Sequence, residues 1–186
     1  MSKKIEHYYG PQVHILDNHF LSGMLAQLCA PETQQPRINN LVELLYSHLL
    51  TEVMNNEFAI VTSTKPTRMT ESHPQNPLTY QHIDPQQKVV IVNIARAGTF
   101  PSHVCFHNLH FAIDPKNLRQ DHIFAARLTD GSNKVTGTEI GATKIGGDKA
   151  NSVVIFPDPM GATGNTLKAT IEYYKTHVAG QATRLI

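Results

Sequence analysis

Three features of the sequence predict an α/β protein whose sheet is mostly parallel and flanked by helices. Val89-Val90-Ile91-Val92-Asn93-Ile94 forms one strand-like run, and Val153-Val154-Ile155-Phe156 forms a second. Both are short, dense in β-branched residues and apolar at consecutive rather than alternate positions, as strands covered on two faces are. Each ends in a glycine-bearing turn ahead of a helical pattern: Ala95-Arg96-Ala97-Gly98 in the first case, Gly161 to Thr166 in the second. Between them the run from Gly131 to Asn151 is polar and glycine-rich, with Val135, Ile140 and Ile145 as its only branched apolar residues. That is too few to build a core, so a β-arm over about residues 127–151 is expected to project from a single domain spanning 1–186.

Composition narrows the setting. With 186 residues and 40% apolar content the chain can bury a substantial core. A formal charge of +1 without any basic block argues against a nucleic-acid surface. The residues from Met1 to His7 are polar with no apolar segment behind them, and no stretch approaches a membrane span, so neither a signal peptide nor a membrane role is expected. Cys29 and Cys105 are isolated and fit reduced thiols, which makes the cytoplasm the default location.

Taken in order, Val13 to Leu16 is expected as a short strand and Phe20 to Cys29 as a helix, with Leu21, Met24, Leu25 and Leu28 at helical spacing. A longer helix starts at Pro36. Ile38, Leu41, Leu44, Leu45, His48, Leu49 and Met54 share its apolar face, while Arg37, Asn40, Glu43 and Glu52 can stay wet. Within that stripe His48 reads as a core or interface histidine rather than a ligand. Phe58 to Ser63 is expected as a strand, followed by a long polar connection, Thr64 to Gln87, with a hairpin through Leu78 to His82. Lys65 and Arg68 in this region can reach a phosphate or simply solvate a loop. From Pro101 to Phe111, His103, Cys105, His107 and His110 occur at spacings that on a helix would allow a metal site, although packing or a dimer surface is the more ordinary use. His122 to Ala126 is expected as a further strand. The last residues, Thr183 to Ile186, read as the opening of another strand, which raises the expectation of a truncated chain.

The chemistry concentrates between Asn151 and Leu167. Asp158 stands at the carboxyl end of the second apolar run, and Gly161, Ala162, Thr163, Gly164, Asn165 and Thr166 supply small side chains, backbone freedom and two hydroxyls just before a helix start. Such a loop turns several N–H groups toward one point, as a phosphate requires. The Gly-Lys-Ser/Thr of a Walker loop is absent, since Asn165 follows Gly164, and so is a Gly-x-Gly-x-x-Gly fingerprint. What distinguishes this loop is the preceding acid, placed to take ribose hydroxyls while the loop holds the 5′-phosphate of the same sugar. In a parallel sheet the Arg96 turn opens on the same edge, where its backbone and guanidinium suit a second anion.

The stretch Asp158-Pro159-Met160-Gly161-Ala162-Thr163-Gly164-Asn165-Thr166 resembles the phosphoribosyl-pyrophosphate (PRPP) loop of uracil phosphoribosyltransferases, enzymes of the type I phosphoribosyltransferase fold. Ala95-Arg96-Ala97-Gly98 is similar to the family's Leu-Arg-Ala-Gly, with Ala95 replacing Leu. Arg37 and Glu52 resemble residues of an early family helix. The resemblance implies that Asp158 and the Ala162 to Thr166 loop hold the ribose phosphate, and that Arg96, Ala97 and Gly98 take the pyrophosphate. It also implies that Arg127 contacts PRPP from the arm and that Lys144 matches the family's arm lysine. Arg127 lacks the family's following Asp-Glu-Glu, and Ile145-Gly146 replaces Leu-Pro. Mg²⁺ would then be bound mainly through PRPP and water, with no protein side chain expected as a metal ligand. A homodimer or higher homo-oligomer is implied by analogy. The family recognises uracil through a carboxyl-terminal Gly-Asp loop that these residues do not contain. The expected activity is transfer of phosphoribosyl from PRPP to uracil, giving UMP. A PRPP-binding regulator without catalysis, or a transferase for another base, remains the alternative.

Overall fold

Strand β3 (Lys88–Ala95) lies at the centre, and its residues divide between two cores as its apolar run requires. In the computed structural model, which describes residues 4–129, 135–161 and 163–186 and only the backbone of residues 127, 129, 135 and 136, a five-stranded sheet has the order β5-β4-β3-β6-β7. Its other members are β4 (Leu118–Thr129), β5 (Val135–Lys144), β6 (Ser152–Ile155) and β7 (Arg184–Leu185). β3 runs parallel to both β4 and β6, and β7 runs parallel to β6; only the β4–β5 pairing is antiparallel. Val89, Ile91, Val153 and Ile155 face helices α2 (Arg37–Glu57) and α3 (Thr99–Leu109), packing with Leu50, Cys105 and Leu109. Their neighbours Val90, Val92, Ile94, Val154 and Phe156 face α4 (Asn165–His177) and meet Tyr174 and Val178. Burial on two faces is the reason these strands carry no polar alternation.

Helix α1 (His19–Cys29) begins where the Asn18 side chain accepts the Leu21 N–H at 3.1 Å, and it lies on α2 with none of its residues fully buried. Strands β1 (Ile60–Lys65) and β2 (Leu78–Ile83) form a separate antiparallel hairpin, the one expected across the polar connection. Phe58 belongs to the helix end instead of the strand: its N–H bonds Met54 O at 3.2 Å and its side chain is buried. A 3₁₀ turn at Pro115–Asn117 leads into β4.

Several sequence expectations need correction. Val13 to Leu16 is not a strand; a single bridge pairs Leu16 with Lys4, and Val13 is exposed. Among the described residues it is tied to the start of the chain by that bridge and by the Ile5 N–H donating to Ile15 O at 2.9 Å, too few bonds for a ladder. His48 is exposed on α2, its ring edge-on to Phe20, so it is not a core histidine. β4 starts at Leu118, four residues before the expected strand, because its polar first half is held by side-chain bonds rather than apolar burial. The arm is less detached than expected: β5 pairs with β4 from His122↔Lys144 onward, and Ile140 and Ile145 pack against the α4-side core. At the carboxyl end Ile186 N–H bonds Val154 O at 2.9 Å while its own carbonyl accepts the Phe156 N–H at 2.8 Å. No helix among the described residues is long and apolar enough to cross a membrane.

Candidate active site

Because β3 and β6 are parallel neighbours, the turns that follow them open on one edge of the sheet. The two turns touch. A Cβ built on Gly98 would lie 2.8 Å from Ile94 O and 2.9 Å from Pro157 O, so a side chain there would force the arginine turn away from the loop after β6. Gly98 also caps α3, its carbonyl accepting the Ser102 N–H at 2.9 Å. The Ala95–Arg96 peptide is cis.

After β6, Pro157 is buried and Asp158 is half-buried, with Asp158 Oδ1 accepting the Met160 N–H at 3.1 Å. This bond fixes the carboxylate while occupying one of its oxygens. Gly164 takes φ 71°, a left-handed conformation that a glycine adopts without strain, and stands at the N-cap of α4 with no side-chain cap on the helix. The first N–H groups of α4 therefore have no side-chain cap from Gly164 and form the positive end of the helix dipole, the arrangement that attracts phosphate. Tyr46 of α2 lies behind the site: burial first, then the neighbouring Cys105 and Asp158, hold its phenol well above the ordinary range.

Together these turns enclose a cavity of about 690 Å³, a size that suits a small-molecule ligand. Of the residues expected at the site, Arg96, Ala97, Asp158, Met160, Gly161, Thr163, Gly164, Asn165 and Thr166 line it. Gly98 lies beneath the lining as a spacer, and Pro159 is not part of the lining. Ala162 lies outside the described residues. Arg127 sits in β4 opposite Thr138, and its side chain is likewise outside them. Lys144 does not reach the cavity: it is exposed at the end of β5 opposite His122. Lys65 and Arg68 are exposed in the β1–β2 region, and Arg37 bonds Gln27 at 2.7 Å; none of the three lines the cavity. His103, His107 and His110 are exposed along α3. The latter two contact Phe111 and Phe106 edge-on, and no metal-binding trio converges among the described residues.

The structure adds residues that the sequence did not flag. Phe124, Ala125 and Ala126 of β4 and Glu139 and Gly141 of β5 form the arm-side wall. Strand alternation alone gave no hint of them, because the β4–β5 register shifts between Ile123 and Ala125.

The family model for uracil phosphoribosyltransferase matches residues 15–184. Among solved structures, the AQ2163 protein from Aquifex aeolicus is similar over 87% of this chain and 69% of its own, at 17% identity and a TM-score of 0.64, a likeness of fold. A hypoxanthine phosphoribosyltransferase from Staphylococcus aureus is similar over 79% of this chain and 60% of its own, at 16% identity and a TM-score of 0.47. No curated protein matches the sequence significantly.

Proposed function

This chain belongs to the uracil phosphoribosyltransferase family, and from that premise we propose that it transfers the phosphoribosyl group of PRPP to uracil, releasing pyrophosphate and forming UMP. The observation that carries the reading is the convergence of two turns on one cavity: the Asp158 to Thr166 loop and the Arg96 turn. The first suits a ribose 5′-phosphate and the second a pyrophosphate, and PRPP has both on one sugar.

In the reaction the bond from C1′ to pyrophosphate breaks while a bond from C1′ to a ring nitrogen of the base forms, and the proton on that nitrogen passes to the released pyrophosphate or to water. Positive charge develops on the sugar and negative charge on the leaving group, so the protein's task is to position and stabilise charge. The amides at the start of α4, with the hydroxyls of Thr163 and Thr166, would anchor the 5′-phosphate. Asp158, pre-oriented by the Met160 N–H, would accept from the ribose hydroxyls and lie near the sugar as it gains positive charge. Arg96 would hold the pyrophosphate and receive its growing charge. The β4–β5 wall would exclude water, protecting C1′ from hydrolysis. A magnesium ion suits this donor set, which among the described lining residues offers carboxylate oxygen without thiolate or imidazole. Held there mainly through PRPP and water, with Asp158 close by, the metal would supply neutralisation of the leaving group.

Incubation with PRPP, Mg²⁺ and uracil is expected to give uracil-dependent pyrophosphate and UMP. Asp158→Asn should lower kcat/KM roughly 10- to 100-fold, as expected for a hydrogen bond to a charged group worth about 1.5–3 kcal/mol. PRPP binding with no turnover of any base would make the chain a non-catalytic relative. Turnover of another base in preference would keep the transferase and reject uracil.

A further inference from the structure

Tyr174 is fully buried and does not line the cavity, yet three of the cavity's walls run back to it. The first is the start of α4, which carries the phosphate loop. Leu167, Ile171 and Tyr174 follow one another at helical spacing along the face that packs into the α4-side core, and Leu167 also lines the cavity. The second is the loop after β6. Phe156, two residues before Asp158, meets the Tyr174 ring edge-on, with centroids 5.6 Å apart and planes at 89°. The third is the arm-side wall. The Tyr174 hydroxyl donates to Asp121 Oδ2 at 2.6 Å, and Asp121 stands in β4 four residues before Ala125 of that wall.

The hydroxyl belongs to a connected set of bonds. Arg119 Nε and Nη2 donate to the same carboxylate at 3.1 and 3.2 Å, Nη2 also donates to the Tyr174 hydroxyl at 3.4 Å, and the Gly146 N–H donates to Asp121 Oδ1 at 2.9 Å. Gly146 follows the end of β5, so the returning strand of the arm is tied in as well. Asp121 has none of its side chain exposed, and hydrogen bonds to a buried charge are the strong ones. β4 in turn holds the arginine turn, because Phe124 pairs with Ala95, the residue before Arg96. The separation between the start of α4 and the Arg96 turn is therefore fixed from behind, by one phenol that reaches from the helix to the strand. A ligand gripped at both ends depends on that separation. PRPP gains from its second anchored group only when the two subsites stand as far apart as its ribose requires.

We propose that Tyr174 is a positioning residue of the donor site, acting through α4 and Asp121 to set the span between the phosphate loop and the Arg96 turn, and so favouring ligands whose two anionic groups are joined by one ribose. The inference rests on the PRPP reading of the cavity. It adds a determinant of donor recognition that lies outside the lining. Removing the hydroxyl leaves the ring against Phe156 and leaves each anion subsite whole, while α4 loses its bond to β4. The loss falls on ligands that bridge the two subsites and spares those that fill only one.

The test is calorimetric titration of wild type and Tyr174→Phe with PRPP, ribose 5-phosphate and pyrophosphate in turn, at constant Mg²⁺, without base and well below the melting temperature of either protein. Tyr174→Phe should bind PRPP roughly tenfold more weakly than wild type, short of the hundredfold that a displacement of about 1 Å can cost. It should bind ribose 5-phosphate and pyrophosphate with wild-type affinity. Leu50→Ala, which removes buried volume on the other face of the sheet, is the control for stability: it should lower the Tm and leave all three affinities unchanged. Unchanged PRPP affinity in Tyr174→Phe, whatever its Tm, would overturn the proposal by making the hydroxyl structural only. An equal loss for PRPP and ribose 5-phosphate would overturn it too, since the phosphate loop itself would then be damaged, as would a loss of PRPP affinity in Leu50→Ala matching that in Tyr174→Phe. Failure of wild type itself to bind PRPP would remove the underlying reading along with this one, a result distinct from all the others.

Discussion

Gly98 joins the two turns that border the cavity without itself lining it. Its φ of −72° is ordinary for any residue, so conformational freedom is not why glycine stands there. Space is the reason, because carbonyl oxygens of Ile94 and Pro157 lie 2.8 and 2.9 Å from where a Cβ would sit. Both belong to backbone that leads out of central strands and cannot swing aside like a flexible side chain. Gly98→Ala should therefore cost about 1–3 kcal/mol of stability, the usual range for overpacking a close contact. It should also weaken PRPP binding, because Arg96 and Asp158 move apart. Urea denaturation and a PRPP titration read the two effects separately, and a variant with wild-type affinity would show that the turns need not touch. Arg96 and Asp158 were legible in the sequence because each follows an unmistakable buried strand. Glu139 was not, since its place depends on the β4–β5 register and its shift between Ile123 and Ala125, which no local pattern encodes. Lys144, expected as the lysine of the arm, is the last residue of β5, opposite His122 and outside the cavity lining.

At the level of elements, β4 explains both what sequence patterning found and what it missed. Its first half, Leu118 to His122, carries Arg119, Gln120 and Asp121, so an apolar-run reading begins the strand too late. The strand is held there by a buried polar knot. Asp121, with none of its side chain exposed, accepts from Arg119 Nε at 3.1 Å, from the Tyr174 hydroxyl at 2.6 Å and from the Gly146 N–H at 2.9 Å. Three elements meet at that carboxylate: β4, α4 and the turn leaving the arm. The helices and the central strands could be read from periodicity because each buries a continuous apolar face, whereas this junction is made by polar groups distant in sequence. Asp121→Asn should destabilise the protein by about 3–5 kcal/mol, since it removes the buried negative charge that Arg119 faces and replaces one of the two acceptor oxygens with a donor. Tyr174→Phe, which removes one of several donors, should cost less, about 1.5–3 kcal/mol. Chemical denaturation of the two variants and their double mutant gives the coupling. A double mutant whose loss equals the sum of the single losses would mean that the two groups do not act as a unit.

For the molecule as a whole, both faces of the sheet hold titratable groups in the protonated state, and this sets how the fold responds to alkali. On the α2–α3 face, burial pushes the Cys105 thiol from 9.0 up to about 12. The Tyr46 phenol beside it is raised as well, by burial and by the nearby Cys105 and Asp158. On the α4 face the Tyr174 phenol is raised by burial first and then by its bond to Asp121. An acid whose folded pKa exceeds its unfolded value holds its proton more tightly in the native state. Its contribution to stability is whole below the unfolded pKa and is lost as pH rises through the folded one. For Cys105 that window runs from about 9.0 to about 12, and the two tyrosines act in the same direction beginning from 10.0. The expected profile is stability little affected by these groups near neutrality and a progressive fall above pH 9. Cys105→Ala should be less stable than wild type at pH 7, because it leaves a void in the α2–α3 core, yet lose less on going from pH 9 to pH 12. Parallel urea melts of both proteins across that range provide the check: slopes that coincide would remove Cys105 as a source of the alkaline sensitivity and leave it to Tyr46, Tyr174 or groups at the surface.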